Sequence, residues 1–345
     1  EGNLRVEENL GEGYVRLRVS EAERRQAKHD IQHVEDIVIE MLRNARDAGA
    51  DKVYLATTKE EGVRTLLFLD NGSGVPQDMQ ERIFDARVTS KLESMKMDRW
   101  GVHGRGMALF SIKQNTDEAR VVTSGVDLGS AFKVCVATDR LGERADQSSW
   151  PQAVKDEDGR YVCARGPHNI IRAACEFALE ELRCCDVYLG SPSEIAATLY
   201  AQASSRLDTS RLLFIDDECE LPVIDRLGLA SDAEDFIRIC SGLGLEMSER
   251  TAHRILSGQI KPVRGVTARL LRERDSTSHA PAPVDLAKDR RGLRIAKDDM
   301  AQFSRAVERD FNDLAARYYL NLCGDPKIRV SRDRITVTFD LAKEE

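Results

Sequence analysis

The stretch from 33 to 49 limits what this chain can fold into more than any other. Val34, Ile37, Val38, Met41, Leu42, Ala45 and Ala48 recur there at helical spacing, and Gly49 stands where a helix would end. Ahead of it, GYVRLRVS (13 to 20) alternates Val15, Leu17 and Val19 with arginines, the period of a half-exposed strand. Behind it come KVYLATT, RTLLFLD and, after a polar gap, ARVVTS; SAFKVCVAT closes the unit near 138. One long helix followed by strands with few helices between them predicts an α/β sandwich, with a mixed, mainly antiparallel sheet and helices on one face.

With 345 residues the chain is long enough for two or three domains. Residues 1–145 form the first. Residues 140 to 160 read as a linker by their polarity and their Pro and Gly content. A smaller α/β connecting or transducer-like segment, 161–226, holds an expected helix at 168 to 183, a strand at DVYLG, a helix at 193 to 206 capped by Ser193, and a strand at LLFID. Residues 230–275 look helical. A Ser/Pro/Ala stretch, 276 to 287, leads to 288–345, read as a helix near 298 to 322 and the strands KIRVS and RITVTFDL.

No run of about 18 apolar residues is present and the acidic start lacks an apolar leader, so a cytoplasmic protein with no membrane partner is expected. The eight cysteines form no CxxC pair, which implies neither disulfides nor zinc. The net charge of −8 argues against a wholly basic surface. Charge is uneven, however. Residues 251 to 297 hold 11 Lys and Arg against 4 Asp and Glu, so a polyanion such as DNA would be met there.

Three elements carry chemistry. On the helix from 33 to 49, Glu40, Asn44 and Asp47 share a stripe beside the apolar face, where a carboxylate can activate a water and an amide oxygen can hold a metal ion. Residues 70 to 74, DNGSG, follow a strand: Asp70 is a fixed acceptor for an exocyclic amine, and Gly72 and Gly74 let backbone approach a planar base. Gly101, Val102, His103, Gly104, Arg105, Gly106 and Met107 form a glycine-rich turn before a helix, whose freed amides suit phosphate oxygens.

In order and context these elements resemble the GHKL (Bergerat-fold) superfamily: type II topoisomerase ATPase subunits, heat-shock chaperones, histidine kinases and mismatch-repair MutL proteins. The wording is most similar to MutL. NARDAGA resembles that family's Asn-x-x-Asp-Ala-Gly-Ala box, VTSK (88 to 91) its Thr-Ser-Lys lid, and GVHGRGMALFSI its Gly-Phe-Arg-Gly-Glu-Ala-Leu-Ala-Ser-Ile. The resemblance spans residues 33 to 137 and implies ATP and Mg²⁺ as cofactors. It implies Glu40 as the general base, Asn44 as the Mg²⁺ ligand, and Asp47 and Asp70 on the nucleotide. It also implies Ser130 reaching adenine through water, Gly101, Gly104 and Gly106 around the phosphates, and a lid (77 to 100) carrying Thr89, Ser90 and Lys91. An ATP-dependent homodimer is a further implication.

Two departures bear on activity. Arg105-Gly106-Met107 stands where MutL has Glu-Ala-Leu, and ERIFDARVTSK resembles a histidine-kinase phrase. Glu40 favours the hydrolysing branches, since phosphoacceptor kinases usually carry Asn there. The lysine by which those branches touch the γ-phosphate has no clear counterpart; Lys155, Lys261 and Lys91 are the candidates. The alternative to an ATPase is a nucleotide-sensing regulator or a GHKL-type protein kinase. Between 232 and 262 the chain also resembles a repressor-type helix-turn-helix, with Ser248 capping a second helix whose Arg250, His253 and Arg254 would meet DNA, although Glu246 stands where the turn glycine is usual.

Overall fold

The computed structural model describes residues 6–90, 96–103, 106–144, 146–207, 215, 217–275, 297–315, 320–324, 326–330 and 335–343. It divides into two compact units, Glu1–Asp275 and Ser276–Glu345.

The first unit opens with a hairpin, β1 (Val6–Gly11) and β2 (Tyr14–Leu17), followed by α1 (Glu21–Asp30). Neither β1 nor α1 has the apolar periodicity that marks the motif helix, and neither was expected from the sequence. Helix α1 starts on a capping box: Ser20 Oγ accepts from Glu23 N, and the Glu23 carboxylate accepts from Ser20 N. The motif helix, α2 (Val34–Asp47), begins where Asp36 accepts from the amides of Gln32 and His33, both at 2.8 Å, and the chain leaves it through Gly49 at φ +76°.

Next come β3 (Lys52–Glu60), β4 (Val63–Asp70), two short 3₁₀ turns, β5 (Val88–Thr89), the pair β6 (Lys96–Asp98) and β7 (Gly101–His103), and α3 (Ala108–Asn115). Strands β8 (Glu118–Ser124) and β9 (Ser130–Ala137) complete the expected antiparallel run. Residues 140 to 160, read above as a linker, are in part structural: β10 (Gln152–Lys155) pairs with β11 (Tyr161–Arg165), and Leu141 and Ala153 are buried. Asn169, fully buried, caps α4 (Ile170–Glu180) and donates to the carbonyls of Asp146 and Ser149, tying that segment down.

The segment after 161 shares its core with the first. Strand β12 (Asp186–Gly190) pairs in parallel with β3, giving one five-stranded sheet of order β12-β3-β4-β9-β8. Helix α5 (Pro192–Arg206) is capped by Ser191 rather than Ser193, because Glu194 closes the box and Pro192 suits the first turn. The expected strand at LLFID lies, apart from Ile215, outside the described residues. The helical region resolves into α6 (Ala233–Gly242), α7 (Glu249–Leu256) and α8 (Val266–Asp275).

Alternation along the strands sorts the core into two layers. Val53, Leu55, Leu66, Phe68, Phe132 and Val187 face α2, α4 and α8, whereas Tyr54, Ala56, Leu67, Leu69 and Ala131 face α5, α6 and α7. Helices on one face hold for residues 1–145; the later residues add a layer on the other.

In the second unit α9 (Lys297–Ala315) ends earlier than the expected 322. Residues from β13 (Leu320–Leu322) pair instead with β16 (Leu341–Lys343), and β14 (Lys327–Val330) pairs with β15 (Ile335–Thr338). Among the described residues no helix is long and apolar enough to cross a membrane.

Candidate functional site

A cavity of about 500 Å³ lies between α2, α3 and the sheet, a volume ordinary for a small-molecule site. Met41, Phe68, Val75, Ile83 and Phe132 supply apolar wall, and Glu40, Asn44, Asp47, Asp70 and Ser130 supply polar groups. The expected stripe on the motif helix is thus brought onto the cavity, opposite a strand end 60 residues away in sequence from its hydroxyl partner.

Asp70 closes β4 directly opposite Ser130, the first residue of β9. Its buried carboxylate accepts from Gly72 N at 2.8 Å through Oδ1 and from Ser130 Oγ at 2.5 Å through Oδ2. A carboxylate offers about four lone-pair sites on two oxygens, the acceptor chemistry that an exocyclic amine requires. Asn71 pins the same loop to the start of β3 by accepting from Asp51 N and Lys52 N. The glycines also serve the fold. A Cβ on Gly74, at φ +68°, would stand 1.9 Å from Gly125 O, and one on Gly72 would stand 2.8 Å from Ala48 O. Both permit backbone to approach backbone, Gly72 at the end of α2 and Gly74 at the connection between β8 and β9.

Asn44 Nδ2 is buried with no hydrogen-bond partner among the described residues. An unsatisfied amide on a cavity wall is costly unless something else completes it. Glu40, half-buried, takes Arg43 Nη1 at 2.7 Å, and Arg43 Nε also reaches Asp98 Oδ2 at 3.0 Å. Arg46 joins Asp47, Asp98 and Glu181 at 2.9, 3.0 and 3.0 Å. Burial alone would lower the pKa of the Arg46 guanidinium, but the Asp47 charge and the bonds to Asp98 and Glu181 outweigh it and raise it. Asp98 belongs to the expected lid. Its neighbour Arg99 pairs with Glu176 at 3.2 Å and Trp100 stacks on Phe177 at 6.3 Å, so this end of the lid is seated on α2 and α4 together.

Of the other lid residues, Thr89 is buried on the cavity wall and Ser90 is exposed beside Tyr14. Burial pushes the Tyr14 phenol up, and its hydrogen bond with Ser90 pulls the other way. Gly106 and Met107 line the cavity where α3 begins, with the Met107 carbonyl accepting from Ser111 N and Oγ. Gly101, Val102 and His103 form β7, antiparallel to β6, as a hairpin rather than a phosphate turn over those three residues. Gly104, Arg105 and Lys91 lie outside the described residues. Lys155 and Lys261 do not line the cavity: Lys155 sits on the exposed side of β10 over the Tyr161 ring.

Sequence reading missed Tyr14, Glu23, Gln26, Asp30 and Arg87, which also line the cavity. Glu23, Gln26 and Asp30 share one face of α1 at spacings of three and four, a pattern that a solvated helix edge shows equally.

Farther along the chain, α6 and α7 pack on the opposite sheet face through Phe236, Ile239, Ala252 and Ile255. The left-handed residue of their connection is Gly244, at φ +81°, two positions before Glu246, which is exposed and 3.8 Å from Lys133. Ser248 caps α7, and Arg250, His253 and Arg254 are all exposed on it.

Residues 31–132 match the family described as Histidine kinase-, DNA gyrase B-, and HSP90-like ATPase. The mixed sheet with its helices is in keeping with that GHKL fold. Over 112 residues the chain is 34% identical to the DNA mismatch repair protein MutL of Brucella abortus, covering 32% of this chain and 18% of that protein. It is 31% identical to the MutL proteins of Thermodesulfovibrio yellowstonii over 107 residues and Pediococcus pentosaceus over 115, covering 30% and 33% of this chain and 19% and 17% of theirs. The chain therefore spans less than a fifth of the length of these relatives.

Proposed function

We propose, starting from a GHKL-type ATPase region over residues 31–132, that this chain binds ATP with Mg²⁺ in the cavity and hydrolyses it. The observation that carries the reading is the convergence on one cavity of an acceptor pair at one end, Asp70 with Ser130, and a carboxylate beside an unsatisfied amide at the other, Glu40 with Asn44. Asp70 accepts the adenine amine while the apolar wall takes the ring. Asn44, whose amide has a buried atom to satisfy, would hold Mg²⁺ through its oxygen once the side chain is turned, together with phosphate oxygens and water. When bound, the ion supplies charge neutralisation at the phosphates. Glu40 takes the proton of the attacking water. Arg43, 2.7 Å away, fixes the direction of that carboxylate. The start of α3 with Gly106 and Met107 holds the phosphates by backbone amides.

Glu40→Gln keeps the size of the side chain and removes its basicity. Hydrolysis should fall by about 10² to 10⁴ while ATP affinity, measured by calorimetry, stays. Asp70→Asn should instead weaken ATP about tenfold to a hundredfold, the worth of one charge-assisted hydrogen bond. Wild-type protein that binds ATP but releases no phosphate would favour a nucleotide sensor, and labelled phosphate on a side chain a protein kinase.

A second reading, that the helical region contacts DNA, is favoured by Arg250, His253 and Arg254 standing exposed on one capped helix while Ala252 and Ile255 hold its other face in the core. The MutL name of the relatives is in line with it. Replacing Arg250 and Arg254 together should reduce the slope of log K against log salt by roughly 2 in a duplex titration begun near 50 mM salt. No binding there, with or without an ATP analogue, ends this reading. Nucleotide-driven pairing of two copies and a cytoplasmic setting complete the proposal.

A further inference from the structure

Within that ATP-binding reading, on which this inference rests, we infer that Arg87 is the cation that grips the polyphosphate chain of the nucleotide. Four observations meet at this residue. Arg87 is 8% exposed and lines the cavity. Its backbone is left-handed, φ +60°, a conformation that side-chain-bearing residues rarely adopt and that tends to survive where function holds it. It is clamped to Gly106 just ahead of α3: Arg87 N donates to Gly106 O at 2.8 Å, and a Cβ on Gly106 would stand 3.1 Å from Arg87 C. Finally, its Nε is buried with no partner among the described residues.

The comparison with Arg43 explains why Arg87 is the one able to take a ligand. Arg43 is shared between two carboxylates, Glu40 and Asp98, inside the α2 wall. Arg87 pairs with Glu23, a carboxylate that is itself 40% exposed and already accepts from Ser20 N and Oγ in the cap of α1. That pair can exchange. A guanidinium presents five donors in a fork suited to phosphate oxygens, and a phosphate carries more charge than the carboxylate it would displace. The turn at Gly106, where the sequence places a phosphate contact, is one hydrogen bond away. Glu23 would then return to the cap alone, so that α1 is freed from the lid base when nucleotide enters.

The rival role is structural: Arg87 simply fastens α1 to the base of the lid through Glu23. Two variants and two ligands separate the roles. Arg87→Gln should weaken ATP binding about tenfold to a hundredfold in calorimetry and leave adenosine affinity within a factor of two, because adenosine has no phosphate to lose. Glu23→Gln removes the competitor but keeps the cation, so its ATP affinity should equal or exceed wild type. Equal losses for ATP and adenosine in Arg87→Gln, or a loss of ATP affinity in Glu23→Gln like that in Arg87→Gln, would overturn the inference in favour of the fastener. Wild-type protein that binds neither ligand would remove the ATP reading itself, and this inference with it. Binding of adenosine as tightly as ATP would remove only the inference.

Discussion

The two faces of the five-stranded sheet are built from alternate residues of the same strands, yet they store different things. The face under α5, α6 and α7 is closed by packing: Tyr54 stacks on Tyr188 at 4.8 Å, Phe236 meets Tyr200 edge-on at 5.6 Å, and small residues such as Ala56 and Ala131 let the helices lie close. The face under α2 and α3 leaves a cavity and surrounds it with charge, in the chain Glu40, Arg43, Asp98, Arg46 and Glu181. Buried ion pairs contribute little net stability against an apolar replacement, since desolvation offsets their attraction. They do fix geometry. The closed face therefore holds by packing alone, whereas the open face adds to its own packed core the charges that hold a site in shape.

That contrast breaks most sharply at Phe236. Truncation to alanine removes a fully buried ring from the closed face and should cost about 3 to 5 kcal/mol in denaturant unfolding, with adenosine affinity unchanged in the protein that remains folded. If the midpoint barely moves, packing on the closed face contributes little to stability. Asp98→Asn asks the smaller, complementary question. It leaves Trp100 N an acceptor but weakens two charge-assisted bonds to Arg43 and Arg46, for about 1.5 to 3 kcal/mol. Here function should suffer beyond stability: the lid end loses its seat on α2, and protection of residues 96–103 in hydrogen exchange should drop below that of the β3–β4 core. Unchanged protection would mean that Trp100 on Phe177 seats the lid without the charges.

Local chemistry was readable in advance and distant pairing was not. The motif helix is visible because its apolar residues and its terminating glycine are neighbours in sequence, and Asp70 is visible because a strand ends on it. Arg87 was hidden by its surroundings: in ERIFDARVTSK it looks like any charged residue between apolar ones, and only its left-handed backbone and its place opposite Gly106 distinguish it. Likewise Gly72 and Gly74 were legible as special without the reason being legible. The approach they permit is to Ala48 and Gly125, which sequence separation conceals.

The helical-region pattern shows the same division. Ser248 and the apolar positions Ala252 and Ile255 announce a capped amphipathic helix, whereas nothing near it announces that it also packs on α5.

By itself the sequence determined elements with a local cause: the motif helix, the helix capped by Ser248, the alternating strands, the polar stripe of Glu40, Asn44 and Asp47, and the order of motifs that resembles the GHKL family. Tertiary structure alone decided that β12 joins β3, that a second helical layer covers the sheet, and that Asp98 bridges α2 to the lid. The physical reason is range. Helical and strand periodicities arise from neighbouring dihedrals and side chains within a few residues, whereas burial and ion pairing depend on which surfaces meet after collapse, and that choice is spread over the whole chain.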